Sequence, residues 1–383
     1  MKKESVLLAL LSVFSVVCIQ CSLKTPQESS PPFDSSDVLQ ATAIKWYNGH
    51  KAAVSITYDI GLGTGSHPFT QSMIDSAIQE VIRRDLRMDF EMVTDYYFLN
   101  PERRIWLDII KDELMPNGIH VFGHGHKHIN HDQVGYDWAF ESFSLCYSLM
   151  QQWDLNPKVY AYPQSAGHKA ETQQANRDAG FIAARGGVFD RNAFYICTDA
   201  VREPENWYYL PSVPVAANER PDYVRSHSEI VEILDNAIDR GSWVILMYHM
   251  IGLPNGWGYY PFEEFIEDLE SIIERDFWCG NFDDVTVYIK ERNAFSVNLS
   301  EISDAEQNNK YWISFTDSLD NLIYNHPLTV ELSFNPDRQV EQVHFSPPIN
   351  SKGVYAVTDG KLRLNVLPDE RKYQMELRGR RNE

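Results

Sequence analysis

Between residues 45 and 296, short apolar runs alternate with longer stretches whose apolar residues have helical spacing. The runs predict strands at 52–58, 88–93, 118–122, 159–162, 181–184 and 243–248. The stretches predict helices at 70–84, 101–114, 137–153, 170–179, 228–240, 262–275 and 285–292. Strands that alternate with helices indicate a parallel α/β sheet, either open or closed into a barrel.

The pattern changes after residue 297 to strict alternation of apolar and polar residues. It predicts short strands at 312–316, 328–334, 342–345, 354–357 and 361–367, and Asp359-Gly360 marks a tight hairpin turn. Residues 297–383 are therefore expected to form a small antiparallel β-domain. Glycan binding and packing against the preceding domain are both open for it, with packing favoured.

The first residues have the pattern of an export signal at 1–21. Lys2 and Lys3 precede an apolar run, 6–19, that is too short to span a bilayer. The run ends near Cys18 and Cys21, and either cysteine resembles the lipid-modified residue of a bacterial lipoprotein, with Cys21 favoured. An ordinary cleaved signal peptide is the alternative. Both interpretations predict an exported protein, either periplasmic or held on the outer membrane or cell surface.

Residues 22–44 are rich in Pro and Ser and are predicted to be a flexible linker ahead of the 45–296 domain. The formal net charge of −20 argues against nucleic acid and anionic lipid headgroups as partners, so any membrane contact is expected only through a lipid anchor. Nine Trp and twenty Tyr residues suit both a large core and sugar stacking. The cysteines beyond the leader, Cys146, Cys197 and Cys279, are too few for a disulfide scaffold.

Four polar side chains, Asp59, His124, His128 and His249, fall at or just beyond predicted strand ends, where barrel enzymes place their chemistry. His124 and His128 belong to the histidine-rich run 123–131 and are four residues apart, so both rings can turn toward one ion. A histidine-rich surface loop is the alternative. These residue types predict a site with a divalent metal, a carboxylate base and a histidine acid.

The order and context of these residues resemble the polysaccharide deacetylase superfamily (NodB-homology domain, carbohydrate esterase family 4), which folds as a distorted (β/α) barrel. The resemblance covers about residues 46–292, through segments similar to the family's first, second, third and fifth motifs, at 46–59, 123–128, 160–163 and 246–249. It implies a catalytic base at Asp59 and a catalytic acid at His249. It also implies a divalent metal, zinc by preference, on His124 and His128, with Leu246 lining an acetyl pocket. Several aromatic residues could form a floor on which sugar rings stack: Tyr58, Tyr162, Trp207, Tyr248 and Trp257.

The chain departs from the family at three points. The family's usual metal-binding aspartate is replaced by Ile60, which cannot bind an ion, and its usual third-motif arginine is absent because Ala161 or Tyr162 stands there. Arg185 ends a later strand and could reach the site, although a structural salt bridge is equally expected. For the fourth motif only Asn206-Trp207 comes near. The residues that could replace the lost ligand are His67, His126, His131 and Asp132, for each of which ordinary surface polarity is favoured.

We therefore expect an exported deacetylase-like hydrolase that removes acetyl groups from N- or O-acetylated glycans. A catalytically silent relative that binds glycan in the same groove is the alternative, because Ile60 removes a metal ligand. Hydrolysis of a non-sugar amide is a third hypothesis. The particular glycan and the oligomeric state are left open.

Overall fold

The computed structural model describes residues 38–59, 74–99, 101–198, 204–302 and 309–379. Its first strand, β1 (Val38–Ala43), precedes eight strands that form one parallel sheet: β2 (Ala52–Tyr58), β3 (Met88–Met92), β4 (Ile119–Gly123), β5 (Val159–Ala161), β6 (Ala183–Gly187), β7 (Leu210–Pro214), β8 (Trp243–Tyr248) and β9 (Phe277–Cys279). The helices are α1 (Gln79–Arg83), α2 (Thr94–Phe98), α3 (Ile105–Ile109), α4 (Gly135–Gln152), α5 (Ala170–Asp178), α6 (His227–Arg240), α7 (Phe262–Ile273) and α8 (Phe282–Ala294). Within the described residues no helix is long and apolar enough to cross a bilayer.

Seven of these strands close into a ring, because β2 pairs with β8 on one side and with β3 on the other. The ring is distorted at one place. The last strand, β9, pairs with the start of β2 at Ala52–Val54, whereas β3 pairs only with its end at Thr57 and Tyr58. The predicted distorted (β/α) barrel is confirmed. The short strands β7 and β9 escaped prediction because neither has a long apolar run.

Alternation along each barrel strand separates an outer from an inner face. On β2, Val54, Ile56 and Tyr58 belong to the core shared with the helices. Ser55 lies between them and faces inward, where its hydroxyl accepts a hydrogen bond from the indole of Trp243 at 3.1 Å. Asp59 continues the inner face beyond the end of the strand. The alternation therefore carries this carboxylate into the mouth of the barrel.

The carboxyl-terminal strands are β10 (Ser296–Glu301), β11 (Lys310–Thr316), β12 (Leu328–Phe334), β13 (Val340–Ile349), β14 (Lys352–Ala356), β15 (Lys361–Val366) and β16 (Asp369–Gly379). They form two antiparallel sheets, in the orders β1-β12-β15 and β10-β11-β16-β13-β14. The expected antiparallel β-domain is therefore present. Asp359 and Gly360 make a tight turn with positive φ angles of 51° and 71°, although the strands they join lie in different sheets.

One part of the predicted linker is a strand. Residues 38–43, which the sequence analysis placed in the flexible linker 22–44, form β1 and pair with β12, from Val38 opposite Phe334 to Ala43 opposite Val330. The partner strand lies almost 300 residues further along the chain, so local composition could not reveal it. The remainder of that prediction, together with the export signal, lies outside the described residues.

The β-domain packs against the amino-terminal ends of the barrel strands. His326 places its ring 5.1 Å from Tyr47 and 5.3 Å from Trp278, measured between ring centroids. Its backbone amide donates to Glu291 of α8 at 3.2 Å. Lys158, just before β5, donates to Asn325 at 3.2 Å. One hydrophobic cluster runs through both domains, so the base of the barrel is completed by the β-domain.

A group of ionisable side chains lies at this base. His120, on the inner face of β4, contacts Asp283 at 2.9 Å, and Asp89 accepts the backbone amide of Phe282 at 2.8 Å. Burial alone would lower the pKa of His120, but the carboxylates of Asp283, Asp284 and Asp89 raise it to about 9. Burial and the charge of Asp283 raise the pKa of Asp89. Asp89 and Asp283 accept backbone amides at the start of α8, at the base of the barrel.

This cluster predicts a loss of stability at alkaline pH. Because the pKa of His120 is about 6.5 in an unfolded chain and higher in the fold, its contribution is fully present below pH 6.5 and is lost as the pH rises to about 9. The free energy of unfolding should fall across that range by on the order of 2–3 kcal/mol. Urea unfolding at several pH values measures the slope. His120→Gln should make this slope shallower, with a remainder from Asp89 and Asp284, whose pKa values are also raised, and His50→Gln, which removes a more exposed pair with Asp276, should leave the slope unchanged. Equal slopes in all three proteins would contradict the assignment.

Candidate active site

A cavity of about 610 Å³ opens at the carboxyl ends of the barrel strands. Its floor is polar and includes Asp59, Glu91, His124, His128 and His249. Aromatic side chains contribute to its walls: Tyr162, Phe189, Tyr223 and Trp257. The structure thus brings all four polar residues predicted at the strand ends into one cavity, while their individual roles stay predictions.

Strand register explains why the floor residues meet. Tyr58 is paired with Tyr248, so Asp59 and His249, the next residues on β2 and β8, lie side by side. On the other side of β2, Thr57 is paired with Asp89, which places Glu91 beside Asp59. The floor is one layer of the barrel interior to which adjacent strands each contribute a side chain.

Arg185 forms a buried ion pair with Asp59. The guanidinium is 1% exposed and lies over the ring of Phe122, 4.8 Å from the ring centroid. Arg185 is in register with Ala161 on β5, and the small alanine leaves room for the long side chain to reach Asp59 across the interior. Arg185 therefore reaches Asp59 from β6, the strand next to β5, and its role in place of the third-motif arginine stays a prediction. It holds the Asp59 carboxylate in a fixed orientation.

His124 is held by its backbone and by its ring. Its amide donates to the Met92 carbonyl at 3.0 Å, and its Nδ1 lies 2.9 Å from the Ala161 carbonyl oxygen. A carbonyl only accepts, so Nδ1 carries the proton and a neutral ring presents a lone pair at Nε2. That atom is 3.2 Å from Oε2 of Glu91. Orientation of Nδ1 by a backbone carbonyl is a common arrangement for a metal-binding histidine.

Gly125 allows the chain to reverse so that His128 returns toward His124. Its φ is +92°, and a β-carbon there would lie 2.6 Å from the carbonyl oxygen of Lys127. The two rings are 5.0 Å apart between centroids. Burial, with the nearby His128 and Arg185, lowers the pKa of His124 well below its usual value, and burial also lowers the pKa of His128 although Asp59 opposes it. Both rings are therefore neutral near pH 7, the state that binds metal.

His249 faces the same floor from β8. Burial lowers its pKa to about 4, with Arg185 and His128 adding to the effect and the Asp59 carboxylate opposing it. Its Nδ1 has no hydrogen-bond partner among the residues that the structure describes. Trp257 packs edge-on against the ring at 4.5 Å, and this approach requires Gly258, where a β-carbon would lie 2.8 Å from that of His249. His249 is thus neutral at pH 7 and screened on one side by an indole.

The predicted substrate-binding residues divide into two groups. Tyr162 lines the cavity, and its contact with substrate stays a prediction. Arg185, also predicted to bind substrate, is paired with Asp59 and is not among the residues that line the cavity. Leu246 and Tyr248 are buried in the core on the outer face of β8, and the Tyr248 hydroxyl donates to Asp268 at 2.8 Å. Because side chains alternate along a strand, the residue that reaches the cavity from this stretch is Met247. The placement of Leu246 and Tyr248 against substrate is therefore wrong.

The residues proposed to replace the ligand lost at position 60 lie elsewhere. The His126 ring contacts Thr94 at 3.1 Å, and His131 packs against Phe143 and contacts Ser142 at 3.0 Å. Asp132 accepts backbone amides in the 167–169 loop. None of these three lines the cavity. Ile60 and His67 fall outside the described residues.

The nearest candidate for the fourth motif also lies away from the cavity. Asn206 donates to Gln173 at 3.3 Å, and the Trp207 ring is covered by Lys290 at 3.9 Å. Neither residue is among those that line the cavity. Asn206 and Trp207 therefore do not supply a fourth motif at this cavity.

Sequence analysis missed Glu91. Its side chain is 1% exposed and faces the cavity from the middle of β3. The available signal was a glutamate inside a run otherwise predicted as a buried strand, because an acidic residue is almost never fully buried without a partner. Oxygen or nitrogen atoms of Asp59, Glu91 and His124 lie within 4.8 Å of one another, so these residues, with His128 alongside, fit a divalent cation.

Comparison with known proteins gives structural neighbours only. No protein-family model and no curated protein matches the chain. The solved structure of a putative polysaccharide deacetylase from Mycobacterium smegmatis is similar, with 13% identity over 65% of this chain and 93% of that one and a TM-score of 0.45. A family 4 carbohydrate esterase from Streptomyces lividans, in complex with acetate, has 13% identity over 60% and 92% of the two chains and a TM-score of 0.39.

A third similar structure is a CE4 family pseudoenzyme from Bacillus anthracis. It has 11% identity over 63% of this chain and 66% of that chain, and its TM-score is 0.41. These neighbours are from the family that the sequence motifs resemble, and they include both enzymes and a pseudoenzyme.

Proposed function

We propose that this protein is an exported, metal-dependent hydrolase that removes acetyl groups from N- or O-acetylated glycans. The observation that carries the proposal is the barrel-mouth layer in which Asp59, paired with buried Arg185, lies beside His249 and His124. A candidate base and two candidate metal-binding imidazoles thus line one cavity, and the guanidinium paired with the base lies just beneath it.

Each polar side chain of the cavity floor has its own role in the proposed removal of an acetyl group. A divalent cation held there would polarise the acyl carbonyl and acidify a water molecule. Asp59 accepts the proton of the attacking water, and Arg185 keeps the carboxylate turned toward it. His249, neutral at rest, takes up the proton that Asp59 has collected and, as an imidazolium, donates a ring N–H to the leaving oxygen or nitrogen, which returns the ring to neutrality. His124 and His128 would hold the cation as neutral rings.

The cavity wall suits a sugar. Trp257 is 56% exposed at the rim, and Phe189 and Tyr223 stand with their rings 5.3 Å apart. Trp257 and Phe189, the two exposed rings, are suited to stacking a pyranose ring while its polar groups reach the floor of the cavity. The predicted export signal, with Cys21 or Cys18 as a lipid attachment point, would bring the protein to glycans outside the cytoplasm.

Acetate release from acetylated oligosaccharides tests the proposal. The purified protein should release acetate from N-acetylated chito-oligosaccharide or O-acetylated xylo-oligosaccharide, lose this activity in chelator, and regain it with zinc. His124→Ala should lower the rate about 1000-fold, since a metal contributes several kcal/mol to such a transition state. His126→Ala, in the same loop but outside the cavity, should change the rate by no more than a few-fold.

The silent glycan-binding alternative rests on Ile60, since a cavity that lacks a metal ligand can still bind sugar. Binding of the same oligosaccharides with no acetate release, with or without zinc, would favour it. Acetate release that chelator leaves unchanged would contradict metal dependence. Activity on non-sugar amides alone would contradict the substrate class.

A further inference from the structure

We infer that Glu91 supplies the anionic metal ligand that position 60 lacks, so that the cation is bound by Glu91, His124 and His128 and Asp59 is left free as the base. The inference deepens the proposed function and rests on its metal dependence. Glu91 lies on β3, which none of the segments similar to the family's motifs includes.

Strand position brings Glu91 to the site. Met88, Phe90 and Met92 face the outer core, so the alternation of β3 points Asp89 and Glu91 inward. Asp89 lies at the base of the barrel, where it accepts the Phe282 amide, and Glu91 lies one layer higher in the cavity. Glu91 can therefore place a carboxylate beside Asp59 from β3. The site does not need a carboxylate from the residue that follows Asp59.

The contact between Glu91 and His124 is one that a cation would satisfy. The His124 proton is committed at Nδ1 to the Ala161 carbonyl, which leaves a lone pair on Nε2. Nε2 faces Oε2 of Glu91 at 3.2 Å, in a place where both side chains are almost wholly buried. Two acceptor atoms this close repel each other unless a cation or a proton lies between them. An imidazole nitrogen and a carboxylate oxygen are favoured ligands of zinc.

The surroundings of the Asp59 and Glu91 carboxylates suit them to different roles. Asp59 is paired with Arg185, whose guanidinium neutralises one negative charge. Glu91 brings a second carboxylate to the same buried layer, where its ligand atom lies within 4.8 Å of those of Asp59 and His124, a spacing that suits a divalent cation. Asp59 is oriented by Arg185 for proton transfer, whereas Glu91 is directed at His124. Without Glu91, the Asp59 carboxylate would have to serve both as metal ligand and as base.

Zinc affinity of the full chain, measured by competition with a chromogenic chelator, tests the inference. Glu91→Gln should weaken zinc binding by more than about 100-fold, beyond the 10- to 100-fold typical of residues that only orient a ligand. Asp89→Asn, an inward acid on the same strand, should leave the affinity within a few-fold of wild type. Adding Ile60→Asp to Glu91→Gln should restore tight binding, because it returns an anionic ligand by the family's usual route.

Glu91→Asp, which keeps the charge but shortens the side chain, should weaken zinc binding while preserving a cooperative thermal transition, and it serves if Glu91→Gln does not fold. If Glu91→Gln and Glu91→Asp bind zinc like wild type while His124→Ala does not, the inference is overturned and the proposed metal dependence stands. If the wild type binds no zinc, the assignment of Glu91 as a ligand and the proposed metal dependence are both overturned.

Discussion

Replacing Asp59 by asparagine should lower kcat for deacetylation by about 10²–10⁴-fold, which corresponds to a barrier higher by about 3–5 kcal/mol. An amide cannot accept the proton of the attacking water at neutral pH. It keeps an oxygen that can accept a hydrogen bond from Arg185, so the side chain should stay in place. Steady-state acetate release by Asp59→Asn and wild type at saturating zinc measures the effect.

Zinc binding separates this substitution from one at Glu91. With Glu91 as the anionic ligand, Asp59→Asn should bind zinc within a few-fold of wild type yet turn over poorly. Asp132→Asn is a suitable control, because Asp132 accepts backbone amides in a loop outside the cavity. An Asp59→Asn protein that keeps most of its kcat would show that another group is the base.

Deleting residues 297–383 should leave a chain that does not fold cooperatively at 25 °C. The deletion removes His326, whose ring lies against Tyr47, Trp278 and Tyr288, and it removes the strand that pairs with β1. Exposing each large buried side chain costs about 1.5–3 kcal/mol, and whole domains are stable by only about 5–15 kcal/mol. Several such losses exceed the stability of the barrel.

Circular dichroism and urea unfolding of residues 38–296 measure this effect. A chain of residues 38–379 is the matched control, since it retains the described strands of both domains, and it should unfold cooperatively. A barrel fragment with a melting temperature within a few degrees of this control would show that the two domains fold independently.

The sequence predicted most of the barrel because parallel, doubly covered strands have apolar runs that are visible locally. Residues 52–58 and 243–248 coincide with β2 and β8. What it missed depends on distant partners: β1 is a strand only because β12 lies beside it. The error at Leu246 and Tyr248 was avoidable, since an inward His249 makes Met247 inward and its two neighbours outward.

The candidate site was predicted where its residues follow strand ends and missed where they lie inside a strand. Asp59, His124, His128 and His249 could be found from strand ends and motif order. Glu91 and the pairing of Arg185 depend on register between neighbouring strands, a property that no single segment carries. Arg185 pairs with Asp59 from the strand next to β5, and Glu91 lines the cavity from the strand next to β2, so a motif search in linear order misses both residues.

The described chain begins with β1, in the sheet of the β-domain and away from the mouth of the cavity. Ala43 pairs with Val330 beside the base of the barrel, and Val38 pairs with Phe334, further out in the β-domain. The cavity opens at the other end of the barrel strands. If the predicted lipid anchor attaches the chain to a membrane, we expect the β-domain, which contains β1, to lie nearer to that membrane than the mouth of the cavity does.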